Sequence, residues 1–291
     1  MISRSISGTL LLAGVLGSCK PGGQPTSHAA SSAADTSSTS AAGSPTAVVV
    51  TAKDYSFELP SSVPAGVVTL RLVNHGKELH QAQIMRLDEG KTVADLEKAL
   101  KPHGPLPSWM KFVGGPNGIA PGDETNGQTS LLPGKHVVIC LIPSPDGVTH
   151  LMKGMIQPLE VTAAPGATTA GFAEATDTIR LVDYSFQSNR ELTPGRHTIL
   201  VENVGPQPHE FVLVKLAPGK SLKDFAKWVE TMKGPPPAVP LGGVGVVEKG
   251  GRGQFTVDLT PGEYGYICFV PDAKDGKLHL LHGMMTQVKV G

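Results

Sequence analysis

Several stretches of the chain pair β-branched or aromatic residues with a period of two. Val67-Val68-Thr69-Leu70-Arg71-Leu72-Val73 is one, and His197-Thr198-Ile199-Leu200-Val201-Glu202 is another. Such alternation predicts half-buried strands, because successive side chains on a strand point to opposite faces. Phe211-Val212-Leu213-Val214 reads as a further strand. Gln254-Phe255-Thr256-Val257-Asp258-Leu259 reads as one that runs into the Pro261-Gly262 turn, with the next strand ending at Cys268. Two stretches break this rhythm. Thr92 to Leu100 and Ser221 to Glu230 have helical spacing, and Leu222, Phe225 and Val229 form an apolar stripe. Ser221 with Asp224 three residues on predicts a capped helix N-terminus. The pattern is all-β with two short helices.

The strands belong to one unit used twice. Asp54-Tyr55-Ser56-Phe57 recurs as Asp183-Tyr184-Ser185-Phe186, 129 residues later, and Asn74 and His80 recur as Asn203 and His209 at the same offset. Gly114-Gly115 recurs as Gly242-Gly243, which we read as turns. Pro133-Gly134 to Cys140 recurs as Pro261-Gly262 to Cys268, and His150 and Met155 recur as His279 and Met284. Fixed-offset similarity is the mark of a duplicated structural unit. Seven or eight short strands and one inserted helix per unit fit a Greek-key β-sandwich. The expected organisation is a leader over 1–19, a Ser/Ala/Thr-rich tether over 20–46, a sandwich over 47–162, a linker over 163–175 and a second sandwich over 176–291.

The 291 residues accommodate two such domains and a tail. Lys plus Arg equals Asp plus Glu, 25 of each. A balanced charge argues against a nucleic-acid partner, which would select a basic excess. Arg4 followed by the short apolar run Leu10 to Leu16 has the make-up of an export signal, too short for a mature span. Its end, Leu16-Gly17-Ser18-Cys19, resembles the bacterial lipobox. That resemblance implies a lipid on Cys19 and an anchored protein on the cell envelope, facing the periplasm or the exterior, with the membrane as a partner. The tether carries almost no large apolar residue and cannot offset its ordering entropy by burial.

With Cys19 assigned to lipid, one cysteine remains per unit. Exported proteins usually pair their cysteines, but Cys140 and Cys268 each end an apolar strand where another domain cannot easily reach. Each is then a small buried hydrophobe or a metal ligand. Nine residues separate Cys140 from His150, and four separate His150 from Met155. Ten separate Cys268 from His279, and four separate His279 from Met284. His80 and His209 lie upstream. Two imidazoles, a thiolate and a thioether form the donor set of a mononuclear blue-copper centre.

Asn203-Val204-Gly205-Pro206-Gln207-Pro208-His209 resembles the strand and turn of plastocyanin-type cupredoxins that ends in a copper histidine, and Asn74 to His80 is its counterpart. The His-x-x-x-Gly-Met endings at 150–155 and 279–284 are similar to the type 1 loop of copper nitrite reductases. The resemblance implies two tandem cupredoxin-like domains, each with one copper. His80, Cys140, His150 and Met155 would hold the first. His209, Cys268, His279 and Met284 would hold the second. Met152 competes with Met155 for the axial place, since Met152-Lys153-Gly154 resembles an azurin ending; Leu281 stands at the matching point of the second unit, which favours Met155 and Met284. His75, His103, His136, His197 and His282 lack counterparts and are taken as surface or structural. No histidine flanks either cysteine, and P-loop, Gly-x-Ser-x-Gly and His-Glu-x-x-His motifs are absent. The expectation is a non-enzymatic carrier of single electrons between partner proteins. The alternatives are copper storage or delivery without redox turnover, and a metal-free binding module.

Overall fold

The computed structural model describes residues 46–101, 104–164 and 171–291. Cys19, the leader and the tether up to residue 45 lie outside these, as does the middle of the expected linker. The described residues fall within one compact unit, Ala42–Gly291. Among them no helix is long and apolar enough to cross a membrane.

The first repeat contributes β1 (Thr46–Lys53), β2 (Ser56–Glu58), β3 (Ser62–Pro64), β4 (Gly66–Asn74), β5 (Gln83–Leu87), helix α1 (Val93–Ala99), β6 (Met110–Gly114), β7 (Glu124–Leu131), β8 (Gly134–Ile139) and β9 (Ile156–Thr162). The second contributes β10 (Asp177–Val182), β11 (Ser185–Ser188), β12 (Gly195–Asn203), β13 (His209–Leu216), helix α2 (Leu222–Thr231), β14 (Ala238–Val247), β15 (Arg252–Leu259), β16 (Gly262–Ile267) and β17 (Met285–Val290). The predicted strands and both helices are present. Each helix starts with a reciprocal capping box, Thr92 with Asp95 and Ser221 with Asp224.

Each repeat is a Greek-key sandwich, but not a purely antiparallel one. β1 pairs parallel with β4, β10 with β12, and β3 with β9. The β2 hairpin turns the chain back, and β3 crosses to the other sheet, so β4 returns in the direction of β1. Between the sheets lie the two cores. One gathers Val50, Leu70, Leu72, Ile84, Val138, Cys140 and Met155; the other gathers Ile179, Leu181, Ile199, Phe211, Phe255, Cys268 and Met284. The helices cover the outer face. Leu96 packs on Met85, Val137 and Ile139, and Leu222 and Phe225 pack on Val212, Val214 and Ile267. That covering explains why β13 is apolar on both faces.

The sheets run through both repeats. One has the order β11-β10-β12-β15-β7-β4-β1-β2 and the other β17-β16-β13-β14-β6-β5-β8-β9-β3. β7 meets β15 at Gln128↔Gln254, and β6 meets β14 at Val113↔Val247. Side-chain amides complete the seam. Asn126 donates to the Thr256 carbonyl and accepts from its N–H, both at 2.8 Å. Gln83 accepts from Val246 N at 2.6 Å and donates to the Val246 carbonyl at 3.1 Å.

The Gly-Gly pairs are not turns. Gly114 ends β6 and Gly242-Gly243 lies inside β14, all with positive φ. They serve close approach of backbones. A Cβ on Gly115 would stand 2.2 Å from the Ala82 carbonyl oxygen, and one on Gly243 would stand 2.0 Å from that of Phe211. β13 is bulged here, with a register shift between His209 and Phe211. Bulges re-aim side chains beside sites, and this one fixes how His209 enters the core. Gly243→Ala combines a disfavoured φ of 134° with an overlap against backbone. It is expected to destabilise the fold by about 3 kcal/mol or more, read from the urea midpoint.

Candidate metal centres

Each repeat brings its two predicted histidines and its cysteine together in one buried cluster, with the predicted methionine in the same core. His80 is held in a bridge to Ile119, and His209 opens β13. Cys140 and Cys268 follow the last residues of β8 and β16. A loop then leads to a single 3-10 turn, His150–Lys153 or His279–His282, before Met155 and Met284 lead into β9 and β17. The backbone locks this loop. Cys140 N donates to Met155 O at 3.3 Å, Leu151 N to Cys140 O at 2.8 Å, and Met155 N to His150 O at 2.9 Å. The second repeat copies it with Cys268 N to Met284 O at 3.2 Å, Leu280 N to Cys268 O at 2.9 Å, and Met284 N to His279 O at 2.9 Å.

The donor atoms converge. His80 Nδ1 and His150 Nδ1 are 3.1 Å apart, with Cys140 Sγ 3.3 Å from His150 Nδ1. His209 Nδ1 and His279 Nδ1 are 3.0 Å apart, with Cys268 Sγ 3.9 and 3.5 Å from them. All six of these residues, and both methionines, are fully buried. Met155 shares a core with Cys140, and Met284 with Cys268. Both cysteines are free thiols. Met152 is only half-buried and lines a surface groove with Glu97 and Leu100, and Leu281 is exposed, so neither belongs to a centre.

The outer nitrogens explain the inner ones. His80 Nε2 lies 2.9 Å from Asp54 Oδ1, His209 Nε2 lies 2.7 Å from Asp183 Oδ1, and His150 Nε2 lies 2.9 Å from Glu78 Oε2. A carboxylate only accepts, so these Nε2 atoms carry the hydrogens, and the Nδ1 lone pairs point inward. Two lone pairs facing each other at 3.1 Å, beside a sulfur, are satisfied together by one electron-pair acceptor. Asn74 and Asn203 brace the loops that deliver these histidines. Their amides donate to Glu78 O and Gln207 O, both at 2.8 Å, and accept from the N–H groups of Gly76 and Gly205. A Cβ on Gly76 would come within 2.5 Å of both Asp54 Oδ1 and His80 Nε2, so glycine is required there.

Burial lowers the basicity of His80 and His209, and burial aided by His209 brings His279 down to about 4. These three imidazoles are therefore neutral donors. Burial also pushes the Cys140 thiol up to about 12 and Cys268 up likewise. Neither thiol ionises unaided, and a cation at the centre would draw off its proton. Despite desolvation, hydrogen bonds hold all three carboxylates below their ordinary range, led by His80 at Asp54, by His150 at Glu78, and by Gln207 and then His209 at Asp183. Two imidazoles and a soft sulfur, with a thioether in the same core, suit a mononuclear copper ion.

The carboxylates escaped the sequence reading, although the Asp-Tyr-Ser-Phe repeat was its visible signal. Asp54 and Asp183 meet His80 and His209. Tyr55 and Tyr184 lie against His150 and His279, with ring centroids 5.2 and 5.4 Å away. Among the unmatched histidines, His136 and His197 are buried rather than on the surface, and His282 stacks on Tyr184. His103 lies outside the described residues.

No family model matches the chain, and no curated protein sequence matches it. Several solved structures match parts of the chain at low identity. A dithionite-reduced auracyanin from Roseiflexus castenholzii is 21% identical, over 42% of this chain and 100% of its own, with a TM-score of 0.27. A blue copper oxidase from Nitrosomonas europaea is 15% identical over 85% of this chain and 86% of its own, TM-score 0.24. A copper nitrite reductase from the same organism is 12% identical over 85% and 94%, TM-score 0.25. The expectation that the chain is not an enzyme is corrected here. Multicopper oxidases and a copper nitrite reductase stand among the similar structures beside the auracyanins, so this fold does not separate carrier from catalyst. The architecture is that of two tandem β-sandwiches, each with an inserted helix and a buried His-Cys-His cluster.

Proposed function

We propose that the chain is a copper protein that binds one mononuclear copper in each repeat and uses both in one-electron transfer. His80, Cys140, His150 and Met155 hold the first ion, and His209, Cys268, His279 and Met284 hold the second. The observation that carries this reading is the convergence of two inward Nδ1 atoms and a thiol in each fully buried cluster, twice in one chain. Copper supplies a one-electron couple between its +1 and +2 states. The protein supplies the rest. Imidazoles bind either state, and the thiolate and thioether favour Cu(I). The backbone-locked loops keep the donors in place when the charge changes, and the dry surroundings remove solvent reorganisation. The proposal includes a lipid on Cys19, which would hold the protein at the membrane of the cell envelope and leave its partner a redox protein meeting it there.

Copper titration of the purified chain tests this. The expected result is two equivalents of copper and an intense thiolate-to-Cu(II) band that bleaches on reduction. Uptake of Cu(I) alone, with no colour after oxidation, replaces electron transfer with storage or delivery. No uptake of either ion leaves a metal-free module and ends the proposal.

A further inference from the structure

The two centres differ around the outer nitrogen of the loop histidine. Glu78 recurs as Gln207 at the same offset as the ligands. In the first repeat Glu78 Oε2 takes the outer N–H of His150 at 2.9 Å, and Oε1 accepts from Tyr55 OH at 2.9 Å. In the second, the Gln207 amide does not reach His279. Its Nε2 donates to Asp183 Oδ2 at 3.2 Å and Asp272 Oδ2 at 3.0 Å, and its Oε1 accepts from Ala273 N at 2.8 Å. His279 Nε2 is buried without a hydrogen-bond partner. The nearest carboxylate, Asp272, stands where the first repeat has Ser144, and its Oδ2 is 3.9 Å away. That carboxylate is engaged elsewhere. Oδ2 accepts from Tyr184 OH at 2.5 Å as well as from Gln207, and Oδ1 accepts from Lys274 N and Asp275 N at 2.8 and 3.3 Å.

The other histidine of each pair is held alike, His80 by Asp54 and His209 by Asp183. The nearby Lys153 does not cancel Glu78, because its charge is paired with Asp146 at 2.8 Å. One histidine ligand is thus carboxylate-backed in the first centre and unbacked in the second. A carboxylate that accepts the outer N–H makes the inner nitrogen a stronger donor. A stronger donor stabilises the more highly charged metal, and because Asp272 stands beside His279 without bonding it, the hydrogen bond rather than the count of carboxylates separates the two centres.

Resting on the copper reading above, we propose that Glu78 is a positioning residue that gives the first centre a lower reduction potential than the second. A single electron entering the chain therefore settles in the second repeat, and the first repeat is the one that hands it on. The Glu78/Gln207 difference divides the duplicated unit into a donor half and an acceptor half.

Spectroelectrochemical titration of the full chain tests this, with Cys268→Ser isolating the first centre and Cys140→Ser the second. The second centre is expected to be at least tenfold more reduced than the first at the same applied potential, which for one electron is about 59 mV. Glu78→Gln in the Cys268→Ser chain is expected to close that tenfold gap while one copper stays bound. Gln207→Glu in the Cys140→Ser chain is expected to move the second centre the opposite way, and it decides the matter if Glu78→Gln does not fold. A purely structural Glu78 would change copper content or melting temperature but not the potential. Equal potentials in the two isolated centres, or a potential unmoved by either exchange, overturn the inference while leaving copper binding intact. Absence of copper from both single-centre chains defeats the copper reading itself, and this inference with it.

Discussion

Cys268→Ser is expected to remove the visible band of the second centre and to leave that of the first, and the double variant with Cys140→Ser is expected to be colourless. Serine is close to cysteine in size, and the backbone bonds of Cys268 to Met284 and Leu280 use main-chain atoms that the substitution keeps. The cost to the fold is that of burying a hydroxyl, about 1–3 kcal/mol. The cost to the centre is far larger. A hydroxyl neither ionises nor donates softly at this site, so the charge-transfer band has no origin. Replacing an outer partner of a metal ligand already costs about 10–100-fold in affinity, so loss of the ligand itself is expected to exceed that range. Absorbance and copper content after gel filtration measure both effects. A band that persists in the double variant would show that the thiolate assignment is wrong.

Legibility in the sequence followed the range of the interactions. Val67 to Val73 and His197 to Glu202 form β4 and β12 because a period of two is local, and Ser221 with Asp224 caps α2 within one turn. The histidines and the cysteine of each repeat lie together because the cysteine and the second histidine come from one loop, whose order in the chain is its order in space. The seam was hidden. Asn126, Gln83 and Asn117 bond to backbone more than 120 residues away, and nothing in their own neighbourhood marks that. The Gly-Gly pairs were visible, but a positive φ serves a turn or a close approach equally well. Asp54 and Asp183 were visible as repeats, yet which histidine each would meet is settled only when β1–β2 and β10–β11 pack beside the histidine loops. The absence of histidines beside the cysteines removed one type of catalytic centre from view and could not speak for the fold as a whole.

Asp177→Ala is expected to cost about 1–3 kcal/mol, because it leaves the buried His197 without its partner while the exposed Arg190 returns to solvent. Asp177 sits at 1% exposure at the start of β10. Its oxygens meet Arg190 Nε at 2.7 Å, His197 Nδ1 at 2.6 Å and Thr176 Oγ1 at 2.5 Å, and His197 Nε2 faces the Thr193 carbonyl at 2.7 Å. The first repeat builds the same place from Val48 and Val68, both buried, where the second has Asp177 and His197. Val48 pairs with Leu70 as Asp177 pairs with Ile199, so the backbone accepts either solution. The double variant Asp177→Val/His197→Val is therefore expected to recover most of the loss of the single one, since apolar packing of similar volume replaces buried charge without a desolvation penalty. The pH dependence separates them further. Burial pushes the Asp177 carboxyl up, but Arg190, Thr176 and His197 together more than reverse this and hold it below its ordinary value. Its contribution is then present above the unfolded carboxylate range and is lost as pH falls through the folded value. Urea midpoints taken from neutral pH down through the carboxylate range should fall more steeply for the natural chain than for the double valine variant. Parallel lines, or a double variant as weak as Asp177→Ala, would show that this cluster does not stabilise the fold in the way its geometry requires.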